Sequence, residues 1–596
     1  MERRERPRRR ATRSLSASAD TFGANSDHDS GSDDEWLPEE VPQLPPAVAY
    51  ALDSDSDVDI VPDDPAPVAQ GPDEPALPAQ NVTPAANLNW LPTAIPRNVL
   101  PFQAQAGGNV RVPRGNRLDP LTMWKKFVGD DLLAVVVRET NRYAGQLKVM
   151  PRPNTAREDD PWPPKFLTTW KNLTIHELKA FFGLTYAFGV HKLPAIRDYW
   201  NQTEWLFQTP HLAKVMPRAR YEAIKRCLHF VDNDDEAFNR EDPFVKVRPL
   251  LTRLLERSKV LYQPGENLAI DEQMQRCNSR YCAQVYRPKR KKTDGLKIWS
   301  ICESGTGYMA AFCLAYRGQG RIEDTVMNLV SDLASTRHKL YMDNLFASRT
   351  LFQRLLHVEQ YACGTWRANY GMPLVLKPAN IRGLARGDFL WRMTGEGLLG
   401  IAWHDTKVCN FLSSWHSPTD TVVYRRQRGV RGRVERAAPT VAADYNANMG
   451  GVDQVDSLRA SYTTQQPCRR WYLALLYWWL DMTAIQSMIV YRSSVGAITH
   501  VKYLGYLVEG LIREGAGEGV LKMAKKRRRR SLPPVPSRGL PYANVHTPVR
   551  MQGRKRCAHC SNSSTGGVKR GSYQCSGCGA YLHRRCFGPY HLAAHR

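Results

Sequence analysis

From Leu118 onward the apolar positions keep a helical period. In PLTMWKKFVGDDLLAVVVRETNRYA they fall at Trp124, Phe127, Leu132, Leu133 and Val136, and the same spacing continues in IHELKAFFGLTYAFGV and RARYEAIKRCLHFVD. Near Gly265 the texture changes. ENLAIDEQM has the length and composition of a short buried strand, and LKIWSICE, the turn Ser304-Gly305-Thr306-Gly307 and YMAAFCLAY make a hairpin. RIEDTVMNLVSDLA is helical, HKLYMDN is a strand and SRTLFQRLLHV is helical again, an interleaving that predicts an α/β sheet. From about Ala368 to Arg436 short strands (DFLWRMTG, LLGIAWHD, KVCNFLSSW) alternate with Arg/Gly loops. Helices resume at VDQVDSLRASY and run through RRWYLALLYWWLDM to about Lys525. The most apolar window, Trp471 to Tyr491, is almost long enough to span a bilayer, but it holds Asp481, Gln486 and Ser487 and abuts Arg469 and Arg470, so a buried helix is expected.

Composition sharpens this picture at the ends. The chain has 596 residues, enough for about three to five domains. It carries 83 Lys and Arg against 58 Asp and Glu, a net charge of +25. Between Ser14 and Pro96 there are sixteen acids and no Lys or Arg, so the rest of the chain bears +41. Such a body points to a polyanion, nucleic acid before membrane. The acidic, Ser/Pro-rich stretch lacks periodic apolar residues and is expected to be disordered to about residue 110. An apolar share of 42% excludes a wholly disordered or fibrous chain, and MERRERPRRR leads into no secretory h-region. Scattered cysteines with five crowded into Cys557–Cys586 indicate a reducing compartment and a terminal metal site. No G-x-x-x-x-G-K-[ST] occurs, which disfavours an ATP-driven helicase. Gly395-Glu396-Gly397-Leu398-Leu399-Gly400 matches a dinucleotide fingerprint, but a strand-like segment follows it and Glu396 would repel phosphate, so a hairpin turn is expected.

The terminal cluster reads Cys557-x2-Cys560-x14-Cys575-x2-Cys578-x4-His583-x2-Cys586-x4-His591-x3-His595. Pairs of donors two or three residues apart hold Zn²⁺ because a tight turn brings both to one tetrahedral centre. Four pairs imply two zinc ions. The short gaps favour a cross-brace, with Cys557, Cys560, His583 and Cys586 on one ion and Cys575, Cys578, His591 and His595 on the other; His559 is an alternative donor. Plant-homeodomain readers and RING-type ligase modules use similar pairs. Arg554, Lys555, Arg556, Lys569, Arg570, Arg584 and Arg585 favour a DNA-binding finger.

Three acidic motifs form the second signal. Asp271 lies in LAIDEQM, Asp343 ends KLYMDN, and Asp453 and Asp456 share one helix face in GGVDQVD. Carboxylates brought together in this way can hold two Mg²⁺ (or Mn²⁺) ions about 3.5–4 Å apart for phosphoryl transfer. Singly, Asp343 fits a strand-end turn and Asp453 a helix cap. Together, two acids in buried strands and one opening a helix follow the order of a ribonuclease-H-like nuclease.

IDEQM, YRPKRKKTDGLKIW, SGTGYM, YMDNLF, YNANMGGVDQVD and CRRW, in this order, resemble the piggyBac transposase family from about Leu118 to Arg530, and the zinc module resembles its cysteine-rich domain. The pair His591/His595 departs from the family's common cysteine pair. The resemblance implies a metal-dependent DNA transposase with catalytic Asp271, Asp343 and Asp453, assisted by Asp456, with Mg²⁺ on the first three. It also implies excision of a TTAA-flanked element through hairpin ends and integration at TTAA. The alternatives are a domesticated DNA- or chromatin-binding derivative without catalysis and, more remotely, a ubiquitin ligase built on the terminal module.

The expected architecture is multidomain α/β. It comprises a disordered tail (1–117), a helical dimerisation and DNA-binding domain split between 118–265 and 458–530, and a ribonuclease-H-like core in 266–367 and 437–457. A β-rich insertion (368–436), a linker (531–553) and the zinc domain (554–596) complete it. Partners are double-stranded DNA and a second copy of the chain, with no membrane. Expected DNA contacts are Arg287, Lys289, Arg290, Lys291 and Lys292; Trp366 and Arg367; Arg425, Arg426, Arg428, Arg431 and Arg433; and Arg469, Arg470 and Trp471. Lys525–Arg530 suits nuclear import.

Overall fold

The structure is a computed structural model. It describes residues 90–596 except 97, 111–117, 152–161, 202, 204–208, 210–211, 236–238, 240, 278, 280–294, 334–335, 378–380, 382, 427–430, 518–519, 521–547, 561–569, 577, 588–589 and 592–596. Residues 1–89, the basic run at 287–292, Arg428, Lys525–Arg530 and His595 therefore lie outside the described residues.

The first periodic stretch forms two helices. Asp119 caps α1 (Pro120–Val128), its carboxylate accepting from the Thr122 amide at 2.7 Å, and proline occupies the first turn, where no amide is needed. Gly129, at φ 74°, breaks the chain before α2 (Asp130–Val149). The helices α3 (Lys165–Thr168), α4 (Ile175–Val190), α5 (Arg218–Cys227) and α6 (Arg248–Leu261) follow.

After the two-residue strands β1 (Gly107–Gly108) and β2 (Tyr262–Gln263), which pair with each other, the main sheet begins. Its strands are β3 (Asn267–Arg276), β4 (Gly295–Glu303), β5 (Met309–Leu314), β6 (Lys339–Met342), β7 (Tyr361–Thr365), β8 (Phe389–Met393), β9 (Leu399–His404) and β10 (Val408–Ser413). They lie in the order β5-β4-β3-β6-β7-β10-β9-β8. β3, β4 and β5 form an antiparallel meander, β6 and β7 add in parallel to β3, and β10 returns antiparallel to β7. Segment 368–436, expected as a separate insertion, thus gives three strands to the same sheet, because β7 offers β10 an open ladder edge. The turn at Gly395–Gly397 joins β8 to β9, as a hairpin and not a nucleotide loop.

Alternation along β3 explains the layering. Leu268 and Ile270 face α7 (Ile322–Val330) and α8 (Arg349–His357) in one apolar cluster, while Ala269 faces the other side. After the ribbon β11 (Asp420–Arg426) and β12 (Arg433–Pro439), that second side receives α9 (Thr440–Asn448) and α10 (Gly451–Ser461). Asp444 ties α9 down, accepting from the Tyr341 hydroxyl at 2.8 Å with His416 Nε2 at 3.1 Å. The helices α11 (Trp471–Ser494) and α12 (His500–Ala516) then return to the first helical block, with α12 packing on α4 and α1. α11 is long and apolar enough to cross a membrane, but its whole apolar window is buried inside the protein. Its Asp481 accepts from Thr463 Oγ1 (2.7 Å), Thr464 N (2.8 Å) and Thr464 Oγ1 (2.7 Å), which makes the buried carboxyl tolerable. The chain ends in a small sheet of β13 (Pro548–Arg556), β14 (Arg570–Cys575) and β15 (Tyr581–Leu582).

One further expectation needs correction. Residues 90–110 belong to the packed structure, not to a tail. Leu91 bridges Met393, Trp90 packs on Trp366 at 5.7 Å, the Leu100 amide donates to the Tyr361 hydroxyl at 2.8 Å, and Phe102 meets His338 at 4.9 Å. These apolar residues are anchored one at a time, without period, so no helix or strand signal marks them.

Candidate functional site

Strand register brings the first two aspartates together. Ile270 of β3 is the partner of Met342 of β6 in a parallel ladder. Asp271, still within β3, and Asp343, just past the end of β6, are the next residue on each chain, which brings the two carboxyls near enough for the Asp343 charge to act on Asp271. Helix α10 delivers the third. Gly451 lies so close to the sheet that an added Cβ would stand 2.9 Å from the Cys302 carbonyl oxygen and 3.2 Å from Ala269 Cβ. The β4–β5 turn clamps the same helix start: the Ser304 hydroxyl donates to the Asn448 carbonyl at 2.6 Å, and Gly307, at φ 73°, packs on the Val455 amide. Asp453, in the first turn of α10, is exposed.

The electrostatics follow from burial. Asp271 is pushed up to about 7 by desolvation and by the charges of Glu272, Asp343 and Asp453, against a bond from the Glu272 amide (2.8 Å). Burial also raises Asp343, while the nearby Arg367 and Lys297 pull it down. Desolvation raises Asp456 too, and Arg459, whose Nη1 lies 3.0 Å from Asp456 Oδ1, opposes it. One oxygen of Asp456 is therefore committed to its own helix. Asp271 and Asp343, neighbouring carboxyls held towards their protonated forms by burial, offer the oxygen donors that a hard cation takes. The trio is open: among the described residues, the groups with every donor within 4.8 Å of the others are the two Cys/His clusters at the C-terminus.

Those clusters interleave in sequence. Cys557, Cys560, His583 and Cys586 form one, and Cys575, Cys578 and His591 form the other, with His595 outside the described residues. His583 Nδ1 lies 3.3 Å from Cys560 Sγ, and His591 Nε2 lies 3.4 Å from Cys578 Sγ. His591 Nδ1 donates to the Phe587 carbonyl at 2.7 Å, which leaves Nε2 as the donor atom for an ion. Burial would raise the Cys557 thiol, yet the amides of Cys560, His583 and His559 bring it down to about 6, near the thiolate state that zinc requires.

The expected DNA contacts divide by burial. Trp366 is 3% exposed and Trp471 4%; both are core residues, with Trp366 Nε1 donating to the Tyr370 carbonyl at 3.0 Å and Trp471 edge-on to Phe244. Neither presents a ring face to a base, because each fills the junction where a strand or helix meets its neighbours. Arg367 is half-buried beside Asp343 and donates to Asn344 Oδ1 at 2.7 Å. Arg426 and Arg433 stand directly opposite each other on the β11–β12 ribbon, both exposed; Arg431 is exposed at its turn, and Arg425 lies 3.7 Å from Asp405. Arg469 is exposed, whereas Arg470 donates to the Arg226 carbonyl.

Sequence reasoning missed several members. Lys297, buried in β4, lies 3.1 Å from Glu272 and 4.0 Å over the Trp299 ring; a lysine inside the apolar run LKIWSICE was the signal. Arg459 is another, buried on the helix that carries Asp453. Lys148, Lys225, Arg226 and Lys246 gather with Arg470 around Cys227, His229 and Cys468, a cluster assembled by folding that no local pattern announces.

Comparison with known proteins agrees with this geometry. The family described as Transposase IS4 matches residues 119–488, more than half of the chain. The chain belongs to this transposase family, and to its piggyBac type. The human PiggyBac transposable element-derived protein 3 is 24% identical over 492 residues, covering 79% of this chain and 76% of the relative. The human PiggyBac transposable element-derived protein 5 is 23% identical over 455 residues, covering 72% and 79%. A solved piggyBac transposase synaptic complex with hairpin DNA shares the fold, with a TM-score of 0.59 at 22% identity over 81% of this chain and 98% of that one.

Proposed function

We propose that this chain is an active, metal-dependent DNA transposase that excises a TTAA-flanked element through hairpin ends and inserts it at TTAA. The observation that carries the reading is the register pairing that sets Asp271 beside Asp343, with α10 clamped against β3 and β4 on the side of the sheet that Ala269 faces. The meander β3-β4-β5 with parallel β6 and β7 supports a ribonuclease-H-like core. Asp271, Asp343 and Asp453 are the residues that would hold two Mg²⁺ or Mn²⁺ ions, which supply an activated water or 3′-hydroxyl and stabilise the leaving oxygen. Asp271 must lose its proton to take part, and Arg367 and Lys297 offset negative charge next to Asp343.

DNA binding is supported by charge. Like charges opposite each other weaken a ribbon, and Arg426 and Arg433 are such a pair, one that a phosphate would relieve. We assign zinc to both C-terminal clusters, nuclear entry to Lys525–Arg530, and a homodimer as the working unit. A second reading, a DNA-binding derivative without catalysis, is favoured by relatives whose names mark them as element-derived. Incubating the purified protein with supercoiled plasmid separates the two. Nicking with Mg²⁺ that stops in a chelator supports catalysis; binding without nicking supports the derivative.

A further inference from the structure

We propose that Arg459 is the positioning residue of the acidic site: its guanidinium fork sets the rotation of α10 on β3 and thereby aims Asp453 at Asp271. The proposal rests on the catalytic reading above. Among the described residues no hydrogen bond or ion pair holds the exposed Asp453 carboxylate, so its direction is the direction of its helix.

The start of α10 is held by Gly451 and the β4–β5 turn, and farther along the helix a buried cation holds its rotation. Gly451, Val452 and Val455 form the stripe of α10 that meets the sheet, and Arg459 is buried in the same stripe, 9% exposed. A guanidinium there is costly unless its N–H groups are paired. Nη1 donates to Asp456 Oδ1 at 3.0 Å on the same helix, and Nη2 donates to Gln275 Oε1 at 2.5 Å on β3. Gln275 lies on the face of β3 that carries Asp271, four residues along a strand of period two. The glutamine between them, Gln273, accepts from Trp478 Nε1 of α11 at 3.0 Å, and Gln275 itself donates to Gln465. One strand face therefore holds a carboxylate followed by two buried amides, each engaged by a helix that packs over it. Rolling or sliding α10 carries the Asp456 pair along but pulls Nη2 away from Gln275 Oε1, leaving a buried N–H without its acceptor. Hydrophobic contact through two valines has no such directionality. The fork thus supplies the rotational register that an exposed metal ligand lacks.

The test uses the full chain with its zinc sites filled and Mn²⁺ as the probe, with binding followed by loss of the free-ion resonance and stability by melting. The acidic site is defined as the Mn²⁺ affinity that Asp271→Asn removes. Arg459→Lys keeps the charge but not the fork, and Gln275→Leu removes the acceptor while leaving the Asp456 pair intact. Both are expected to weaken Mn²⁺ binding about 10-fold or more, the usual effect of losing a group that orients a ligand, with duplex affinity unchanged within about two-fold. A variant that melts earlier yet binds Mn²⁺ at wild-type affinity below its melting range would overturn the proposal, since a purely structural role predicts that result. If Arg459→Lys fails to fold, Gln275→Leu decides. Wild-type Mn²⁺ binding without DNA nicking would contradict the catalytic reading while leaving the comparison of variants valid. A wild-type chain with no site sensitive to Asp271→Asn would overturn both.

Discussion

Asp271 and Asp343 stand side by side because the residues before them, Ile270 and Met342, are register partners in adjacent parallel strands. The two acids are seventy-two positions apart in sequence, yet one ladder brings them together. A slip of one residue would turn either carboxylate to the opposite face of the sheet, among Leu268, Ile270 and the helices α7 and α8. The geometry of the site is therefore as robust as the sheet that carries it.

The protonation of Asp271 gives a pH dependence. Its folded value, about 7, lies above the ordinary 3.8, so the uncharged form is favoured by folding. That contribution to stability is fully present below about pH 4 and is lost as pH rises through 7. Without added divalent cation, Asp271→Asn should raise the melting temperature at pH 8 and leave it unchanged near pH 4. A divalent cation must displace the proton, so at limiting metal its affinity should rise about tenfold per unit below pH 7 and level off above it. Melting curves and Mn²⁺ titrations from pH 5 to 8 check both.

Trp366 and Trp471 should behave as core residues. Trp366→Ala is expected to cost about 3–5 kcal/mol of stability, and Trp366→Phe clearly less. Duplex affinity of the folded Trp366→Phe protein should match wild type. A stable variant with weakened DNA binding would restore the stacking role.

The β11–β12 ribbon has a different signature. Each phosphate contact contributes about 0.9 to the slope of log affinity against log salt. Replacing Arg426 and Arg433 by alanine should reduce that slope by about 2 without loss of stability, because the pair repels in the free protein. Fluorescence anisotropy on a duplex over a salt series measures it.

The terminal module should hold two zinc ions per chain and lose them together. The donors of one cluster, Cys557, Cys560, His583 and Cys586, flank Cys575 and Cys578 of the other in sequence. A segment this small has too little core to fold without metal. Cys557→Ser or Cys575→Ser should therefore reduce the zinc content from two to near none. Retention of one ion would show that the two sites fold independently.

Much of this was legible in the chain. The alternation in ENLAIDEQM and the apolar run in LKIWSICE locate β3 and β4, and the spacing in GGVDQVD locates α10 and its acids. Pair spacing in the terminal cluster separates its donors into the two groups the fold assembles. What was not legible depended on distant partners. The burial of Trp366 requires Trp90, and the role of Arg459 requires Gln275, more than 180 residues away. The strands of 368–436 look the same in sequence whether they form their own sheet or extend another; only the open edge of β7 decides.

Cutting of DNA at the ends of an element by Asp271, Asp343 and Asp453 is open to direct measurement. A plasmid carrying a marker between the TTAA-flanked sequences that adjoin the gene tests it, with the repaired donor sequenced after expression of the protein. The wild type should restore donors to a single TTAA, Asp271→Asn, Asp343→Asn and Asp453→Asn should restore none, and Asp456→Asn, whose carboxylate is engaged by Arg459, should give reduced but measurable excision. Excision that persists in any of the three Asn variants, or a wild-type protein that binds the ends and leaves every donor intact, would contradict it.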